Sequence, residues 1–493
     1  MLLRDIAKGL SDVTVKGNPQ IVITDVTECA RLAGKGSVFV CRKGERFDGN
    51  DFIPEARLRG TVAFVSERNI PINDGECLVI SKNTRKTMAE ISYAIYGSCL
   101  KGMKIIGVGG TKGKSTTASF IAKLLSDIGE SAVVIGTLGI EFFMAGSEGI
   151  SQNSDASIVN EKIYAAENTT PESDQIFKTL ADAKERGCRY AVIEISSQAL
   201  ALGRVYMLPI DLAVFTNFSK DHVGIGEHGS IEEYRAAKLS LYEGRLAVIN
   251  GDDALREDIL KTVKKCYTVG EAPSSDFIIS DISSGGDKVG FSLNGSRVAL
   301  SVGGDFNAKN AALAIASVSV LCGISPDRLA PCLADAKVLG RYEVYEFFKR
   351  RVIIDFAHNG ESFKAIMNAE RRESRGRIIA VFGSVGNRCK DRRRELACVA
   401  EKLADLSVIT ADNPGRESAL EICKEIYSFY SDKSKAVIEP DRESAIKRAL
   451  KLSREGDSVL LLGKGHESFQ LIGDDRIYFS ERDIILSLGA HRP

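Results

Sequence analysis

Lys114 and Ser115 lie in the run Gly107-Val-Gly-Gly-Thr-Lys-Gly-Lys-Ser-Thr-Thr117, and together they are the residue types that grip a polyphosphate and its magnesium ion. Glycines let the chain turn tightly and bring backbone N–H groups onto phosphate oxygens. The lysine ammonium neutralises charge, and a hydroxyl at a positively polarised helix N-terminus can ligate Mg²⁺. The strict spacing asks for glycine at Val108, whereas here Gly107, Gly109 and Gly110 flank it. An ordinary glycine-rich turn is the bland alternative. The apolar run Met103 to Val108 before the loop and the helical pattern Ala118 to Leu125 after it favour a nucleotide phosphate site.

Other polar groups fall where apolar, strand-like runs end, which is where α/β sites form. Glu194 opens Glu194-Ile-Ser-Ser-Gln198, and His222 closes Asn217-Phe-Ser-Lys-Asp-His222. A carboxylate and an imidazole beside a phosphate loop could hold a second Mg²⁺, although oxygen donors are preferred. Glu194 alone also reads as a strand-end salt bridge. Asp355, in Asp355-Phe-Ala-His358, can take ribose hydroxyls, and Arg341 and Arg388 can clamp phosphate. Asp412-Asn-Pro-Gly415 and Gly463-Lys-Gly-His-Glu467 end two further strands, so one shared cleft is expected. The chain has five histidines, and His222, His228, His358 and His466 sit in such loop clusters, so the grouping carries the weight. By itself Lys238, in Tyr234-Arg-Ala-Ala-Lys238, reads as an exposed helix lysine, and Arg392, Arg393 and Arg394 as a solvated helix face.

The elements that must position these groups form an α/β chain. Residues 1–100 mix short strands at 20–26, 37–41, 60–65 and 76–80 with a helix from Thr84 to Tyr96, a small α/β domain. Residues 101–337 alternate strands (103–108, 131–135, 189–195, 212–216, 246–249) with helices near 172–186 and 231–242, which implies a mostly parallel sheet with ligands at the strand C-terminal ends. Between them the stretch 143–168 is long and polar, as functional loops are. Residues 338–493 alternate again, with strands at 351–356, 378–382, 406–409 and 458–462, so a separate doubly wound domain is expected.

Composition excludes several classes. A chain of 493 residues is too long for one core. Lys+Arg and Asp+Glu are equal at 66 each, which argues neither for nucleic acid nor for an acidic membrane surface. No apolar run reaches the roughly 18 residues of a membrane span, and the start lacks a secretory pattern, so a cytoplasmic protein is expected. Eleven cysteines without a C-x-x-C pair suit reduced thiols better than a disulfide framework or a zinc site.

Taken in order, these motifs resemble the Mur ligases, ATP-dependent amide-forming enzymes of peptidoglycan precursor synthesis, over essentially the whole chain. The resemblance is carried by Gly110-Thr-Lys-Gly-Lys-Ser-Thr116, Asn168-Thr-Thr-Pro171, Glu194-Ile-Ser-Ser-Gln-Ala-Leu200 with Gly203-Arg204, and Phe215-Thr-Asn-Phe-Ser-Lys-Asp-His222. It continues through Tyr234-Arg-Ala-Ala-Lys238, Gly304-Asp-Phe-Asn-Ala-Lys-Asn310, Gly340-Arg-Tyr-Glu343, Asp412-Asn-Pro414 and Gly463-Lys-Gly-His-Glu467. It implies three domains: a small N-terminal UDP-binding α/β domain, a central P-loop ATPase-like parallel-sheet domain and a C-terminal Rossmann-like domain that binds the amino acid.

The resemblance also implies residue roles. Gly110, Thr111, Lys112, Gly113, Lys114, Ser115 and Thr116 would bind ATP phosphates, with Asn307 and Asn310 on the adenine side, Asp355 on ribose, and Arg341 and Arg388 near the phosphates. Ser115 would serve the Mg²⁺ of the ATP phosphates, and Glu194 and His222 a second Mg²⁺, with Lys114 and His222 in the reaction. Lys238 matches a carbamylated lysine, in which CO₂ turns a cation into a carboxylate able to bind Mg²⁺. Ala30, Thr169, Thr170, Ser197 and Arg204 would bind the UDP-sugar dipeptide, and Asp412, Asn413, Gly463 and Glu467 the amino acid. The implied activity is addition of the third amino acid to UDP-N-acetylmuramoyl-L-alanyl-D-glutamate through an acyl phosphate, by a monomer acting on small molecules alone.

Some positions depart from the family pattern. The D-S-R expected near the uridine is Cys29-Ala-Arg31, the histidine of S-S-H-A-L is Gln198, G-D-R-D is Gly386-Asn-Arg-Cys389, and D-Y-A-H-T-P is Asp355-Phe-Ala-His-Asn-Gly360. Members that add meso-diaminopimelate carry D-N-P-R, and here Gly415 takes the arginine's place, with Arg416 one residue late. The amino acid therefore stays open among diaminopimelate, lysine, ornithine and other amino acids. Two other readings stay open with it: a related ligase acting on a folylpolyglutamate or a secondary-metabolite peptide, and a non-catalytic nucleotide-binding paralogue.

Overall fold

A computed structural model of the chain describes residues 1–44, 47–145, 168–219, 228–285, 288–386 and 390–492. The chain divides into two compact units, one of residues 1–221 and 230–267, the other of 222–229 and 268–493.

The first unit holds two sheets. The N-terminal one has five strands in the order Val13–Gly17, Cys77–Ser81, Ala63–Ser66, Ser37–Val40, Asp25–Thr27. All pair in parallel except the edge strand Val13–Gly17. Asn83 caps the helix Thr84–Tyr96 by accepting from the Lys86 N–H, as short polar side chains do at helix starts. That helix packs against Ser173–Glu185, and the Tyr96 hydroxyl donates to Asp25 at 2.7 Å.

The second sheet of this unit includes, in order, Leu246–Asn250, Leu212–Phe215, Lys104–Gly109, Tyr190–Glu194, Ala132–Gly136 and Gly139–Phe143, these six parallel but for the last pair. Its central strands are buried on both faces, which is why they read as unbroken apolar runs rather than as alternation. Helix Lys114–Asp127 buries Phe120, Ile121, Leu124 and Leu125, and packs on the strands Ala132–Gly136 and Tyr190–Glu194. Covering both faces places every loop that can carry chemistry at the strand ends.

The second unit begins with antiparallel strands Phe277–Gly285, Lys288–Leu293 and Ser296–Leu300, against which the largely buried helix Phe306–Cys322 packs. Its six-stranded sheet runs Glu343–Phe347, Arg350–Asp355, Ser458–Leu462, Ile378–Phe382, Leu406–Ile409, Ala436–Ile438 and is parallel after its first pair. A hairpin, Phe469–Ile472 with Asp475–Tyr478, follows.

Expected strands and helices of the alternating regions are present within a few residues of their expected ends. The expected strand 20–26 is shorter, Asp25–Thr27, because residues 21–23 bond to the first residues instead: Leu3 N–H donates to the Ile21 carbonyl at 2.8 Å and Ile23 N–H to the Met1 carbonyl at 2.7 Å. The strands Val13–Gly17, Glu343–Phe347 and Ala436–Ile438, and the antiparallel strands from Phe277 to Leu300, are additions to the expected pattern. Among the described residues no single helix is long and apolar enough to cross a membrane. No disulfide joins the described cysteines: Cys41, Cys77, Cys188 and Cys423 are buried, while Cys99 and Cys398 are exposed.

Candidate functional site

The loop Gly110 to Thr116 is held from below by the end of the strand Leu212–Phe215. Thr111 N–H donates to the Asn217 carbonyl at 2.8 Å, and Lys112 N–H to Asn217 Oδ1 at 2.9 Å. Asn217 Nδ2 and Thr216 Oγ1 return bonds to the Lys112 carbonyl at 3.0 and 2.6 Å. Gly110 has φ 133°, and a Cβ there would lie 1.9 Å from Thr216 Oγ1, so only glycine fits this turn. Gly113, left-handed at φ 80°, then starts the helix Lys114–Asp127. Lys114 Nζ donates to the carbonyls of Gly110 and Thr111 at 3.1 and 2.9 Å, which folds the ammonium over its own loop. Thr116 is buried in the helix's first turn.

Glu194, the last residue of its strand, comes up beside Ser115. Its Oε2 accepts from Ser115 Oγ at 2.9 Å and from Thr137 Oγ1 at 3.1 Å, and its Oε1 from Thr137 N–H at 2.9 Å. In place of the alternative reading, a strand-end salt bridge, Glu194 makes a set of hydroxyl and amide bonds. A Cβ on Gly136 would lie 2.1 Å from Glu194 Oε1, so the carboxylate is seated against bare backbone. The Thr137 and Thr169 hydroxyl oxygens lie within hydrogen-bond distance, at 3.1 Å. Thr170 Oγ1 donates to the Glu194 carbonyl at 2.8 Å and accepts from Ser196 N–H at 3.0 Å. Arg204 donates to the Thr170 carbonyl at 3.1 Å, and its Nε lies 3.0 Å from Glu172, which Arg85 also approaches at 3.3 Å. Burial lowers the Arg204 pKa, and Glu172 opposes that shift. Ser197 is buried at the start of the helix Ser197–Ala201.

Phosphate loop, Glu194, Thr137, Thr169, Thr170 and Arg204 thus form one connected network. Ala30 does not join it: it packs in an apolar cluster with Phe39, Ile53 and Phe64. One residue of the network's margin is unusual. Asp174 is 3% exposed and its Oδ1 has no hydrogen-bond partner. Burial pushes its carboxyl up to about 7, the nearby Glu28 adds to the shift, and Lys178 opposes it.

Lys238 corrects the exposed-lysine expectation, since it is 4% exposed. It follows Tyr234 by one helical turn on Ile231–Leu239, so both face inward, and its Nζ lies 4.7 Å from the Tyr234 ring centroid. The Tyr234 hydroxyl bonds Thr111 Oγ1 at 2.9 Å, which ties the lysine's helix to the phosphate loop. His222 lies outside the described residues, as do residues 146–167 of the long loop.

In the second unit, Asn310 Nδ2 donates to Asn307 Oδ1 at 3.0 Å and Asn307 Nδ2 to the Gly303 carbonyl at 2.7 Å, both buried. Asp355 accepts Tyr342 N–H at 2.8 Å and Ala357 N–H at 2.7 Å; burial raises its pKa, and Arg341 opposes that. The Arg341 guanidinium lies 4.8 Å from the Phe356 ring centroid. Arg388 lies outside the described residues.

The amino-acid candidates converge around Asn413. Its Oδ1 accepts from Lys464 Nζ at 2.8 Å and Leu471 N–H at 3.0 Å, and its Nδ2 donates to Glu467 at 2.9 Å. Lys464, fully buried, also bonds Glu467 at 2.6 Å. Gly463, at φ 111°, would place a Cβ 3.0 Å from the buried Asp412 carboxylate. Arg416 pairs with Asp474 at 3.0 and 3.1 Å on the surface. Gly415, at φ 57°, exchanges backbone bonds with Leu471 and Gly473.

Arg393 corrects the solvated-face expectation. It is 1% exposed and bonds Glu417 at 2.7 and 2.8 Å and Glu425 at 2.5 Å, because an inward position on Asp391–Leu403 meets two carboxylates of the neighbouring segment. Sequence reasoning missed Thr137, Arg85 and Lys464. Thr137 sits just past a strand end, and that rule alone could have found it.

Three family models match the chain: Mur ligase family, catalytic domain over residues 22–97, Mur ligase middle domain over 108–318, and Mur ligase, glutamate ligase domain over 340–465. The UDP-N-acetylmuramoyl-L-alanyl-D-glutamate–2,6-diaminopimelate ligase of Aquifex aeolicus (strain VF5) is 34% identical over 94% of this chain and 93% of its own length. The enzyme of that name from Geobacillus kaustophilus (strain HTA426) is 34% identical over 95% of this chain and 94% of its own. A solved structure of a ligase with that name superposes with a TM-score of 0.66 at 24% identity, covering 99% of this chain and 98% of that one, a likeness of fold.

Proposed function

We infer that this chain, which belongs to the Mur ligase family, is an ATP-dependent, ADP-forming ligase that adds the third amino acid to UDP-N-acetylmuramoyl-L-alanyl-D-glutamate in peptidoglycan precursor synthesis. The observation that carries the reading is the Ser115–Glu194 contact, which joins a phosphate loop to the Thr169, Thr170 and Arg204 network within one unit.

The chemistry follows from what a carboxylate lacks, a good leaving group. A γ-carboxylate oxygen of the substrate's glutamate attacks the terminal phosphorus of ATP, and ADP departs. The amine of the amino acid then attacks the acyl carbon, the C–O bond breaks, phosphate leaves and the nitrogen loses a proton. Lys114 offsets charge on the transferring group, while backbone N–H groups of Gly110 to Thr116 orient the phosphates. Asn307 and Asn310 are proposed for the adenine side, Asp355 for ribose, and Arg341 for the phosphates.

The donor set fits magnesium. The Ser115 hydroxyl and Glu194 carboxylate supply hard oxygens 2.9 Å apart, and an ion that keeps waters and phosphate ligands needs no protein cage. Bound there, Mg²⁺ would withdraw charge from the phosphoryl oxygens. Lys238, buried beside Tyr234, whose hydroxyl bonds the loop's Thr111, fits a carbamate, which would supply carboxylate oxygens able to bind Mg²⁺.

The amino acid's ammonium is proposed to sit among Asp412, Asn413 and Glu467. The named relatives use 2,6-diaminopimelate, but Gly415 offers no guanidinium and Arg416 is engaged by Asp474, so lysine and ornithine are tested beside it. We place the reaction in the cytoplasm, carried by a monomer on small molecules. The test is ADP release with UDP-N-acetylmuramoyl-L-alanyl-D-glutamate and each amino acid in turn, with folate and omission controls. ADP release that ignores the UDP-substrate would refute the reading.

A further inference from the structure

We propose that the buried pair Arg442–Glu481 is a positioning device for the amino-acid site, fixing the loops that carry Asp412, Asn413, Gly463 and Glu467. Arg442 opens the helix Arg442–Leu452, and its side chain is fully buried. Its Nε and NH2 donate to Glu481 Oε1 at 2.9 and 2.8 Å. The rest of the fork reaches backbone: NH1 donates to the Ala411 carbonyl at 2.9 Å and NH2 to the Leu462 carbonyl at 2.7 Å. Ala411 immediately precedes Asp412, and Leu462 immediately precedes Gly463.

The two carbonyls belong to segments whose strands, Leu406–Ile409 and Ser458–Leu462, are not neighbours, because Ile378–Phe382 lies between them. One planar guanidinium therefore sets the spacing of two loops across an intervening strand. Lysine, a single point of charge, cannot reproduce that geometry. Stability alone is a weak reason to bury such a pair, since a well-packed apolar replacement generally folds as well. Placement directly ahead of both binding loops gives the pair a function. Glu481 is tied electrostatically to the same loops, for the charges of Lys464 and Asp412 both bear on it.

The inference rests on the amino-acid site proposed above, so its test has one arm that needs no substrate. Arg442→Lys, Arg442→Met and Glu481→Gln are compared with the parent chain by hydrogen exchange without ligands, by thermal unfolding and by steady-state kinetics with meso-diaminopimelate and L-lysine as probes. Faster exchange is expected at 411–415 and 463–467 in all three variants, with 114–127 unchanged. With whichever probe the parent uses, the amino acid's KM rises about tenfold, as loss of a charge-assisted bond implies, while the KM for ATP and the UDP-substrate shifts less than about twofold. Arg442→Met that folds but keeps the raised KM separates positioning from packing. Unchanged exchange in the two loops, or uniform loosening of the whole second unit, would overturn the proposal. A parent chain inactive with every amino acid would refute the ligase reading and leave the exchange result to decide this one.

Discussion

Ser115 Oγ donates to Glu194 Oε2 at 2.9 Å, so the first turn of the phosphate-loop helix and the end of the neighbouring strand share one hydroxyl–carboxylate contact. Glu194→Gln keeps the size and the amide bond from Thr137 but halves the anionic donor set. We expect kcat about a hundredfold lower or worse, in line with loss of one preorganised electrostatic group, at a nearly unchanged unfolding temperature. Full activity in the ADP-release assay would remove Glu194 from the site.

Gly136→Ala tests the seat of that carboxylate without touching it. The new Cβ would begin 2.1 Å from Glu194 Oε1, and the side chain must swing off Ser115. Activity should fall nearly as far as in Glu194→Gln. An active Gly136→Ala enzyme would show that the seat is not needed.

Gly110→Ala faces a second obstacle, its φ of 133°, besides a Cβ 1.9 Å from Thr216 Oγ1. Calorimetric titration with a non-hydrolysable ATP analogue should show affinity reduced by more than about tenfold, the worth of roughly 1.4 kcal/mol. Retained affinity would mean that the loop does not cradle the phosphates.

How much of this was legible in the sequence depended on burial. Parallel strands buried on both faces announce themselves as apolar runs, and Tyr190–Glu194 and Ser458–Leu462 did so. Half-buried antiparallel strands alternate instead: in Lys288–Leu293 the inward Val289, Phe291 and Leu293 are two apart, a period-2 signal that parallel-sheet reasoning passes over. Lys114 and Ser115 were readable because a phosphate loop calls for their residue types, and Glu194 because it is a polar residue ending an apolar strand. Arg85 and the Arg442–Glu481 pair were not, since each is defined by a partner between 39 and 87 positions away, which spacing along the chain cannot reveal.

Asp174 predicts a pH dependence of stability. Its folded carboxyl titrates near 7, against an ordinary 3.8, so the folded state holds its proton where the unfolded chain has lost it. Its stabilising effect is present at low pH and is lost as pH rises toward 7, where the buried charge becomes a fixed cost. Asp174→Asn should be more stable than the parent by about 2 to 4 kcal/mol at pH 8, a gain that shrinks steadily toward pH 4. Denaturant titrations at four pH values would show it, and a gain independent of pH would contradict it.

Glu172 holds both Arg204 and Arg85. Glu172→Gln should raise the KM for the UDP-substrate about tenfold and leave the KM for ATP alone, since a charge-assisted bond to the guanidinium is lost on one side only. Equal changes for both substrates would argue for a general loss of fold.

The most direct test follows the oxygen. With both oxygens of the substrate's glutamate γ-carboxylate labelled with ¹⁸O, activation by phosphoryl transfer sends one of them into inorganic phosphate and leaves the other in the new amide. Mass spectrometry of the released phosphate should show one ¹⁸O per turnover. Phosphate without label, with both heavy oxygens accounted for elsewhere, would contradict an acyl phosphate and the ligase built around it.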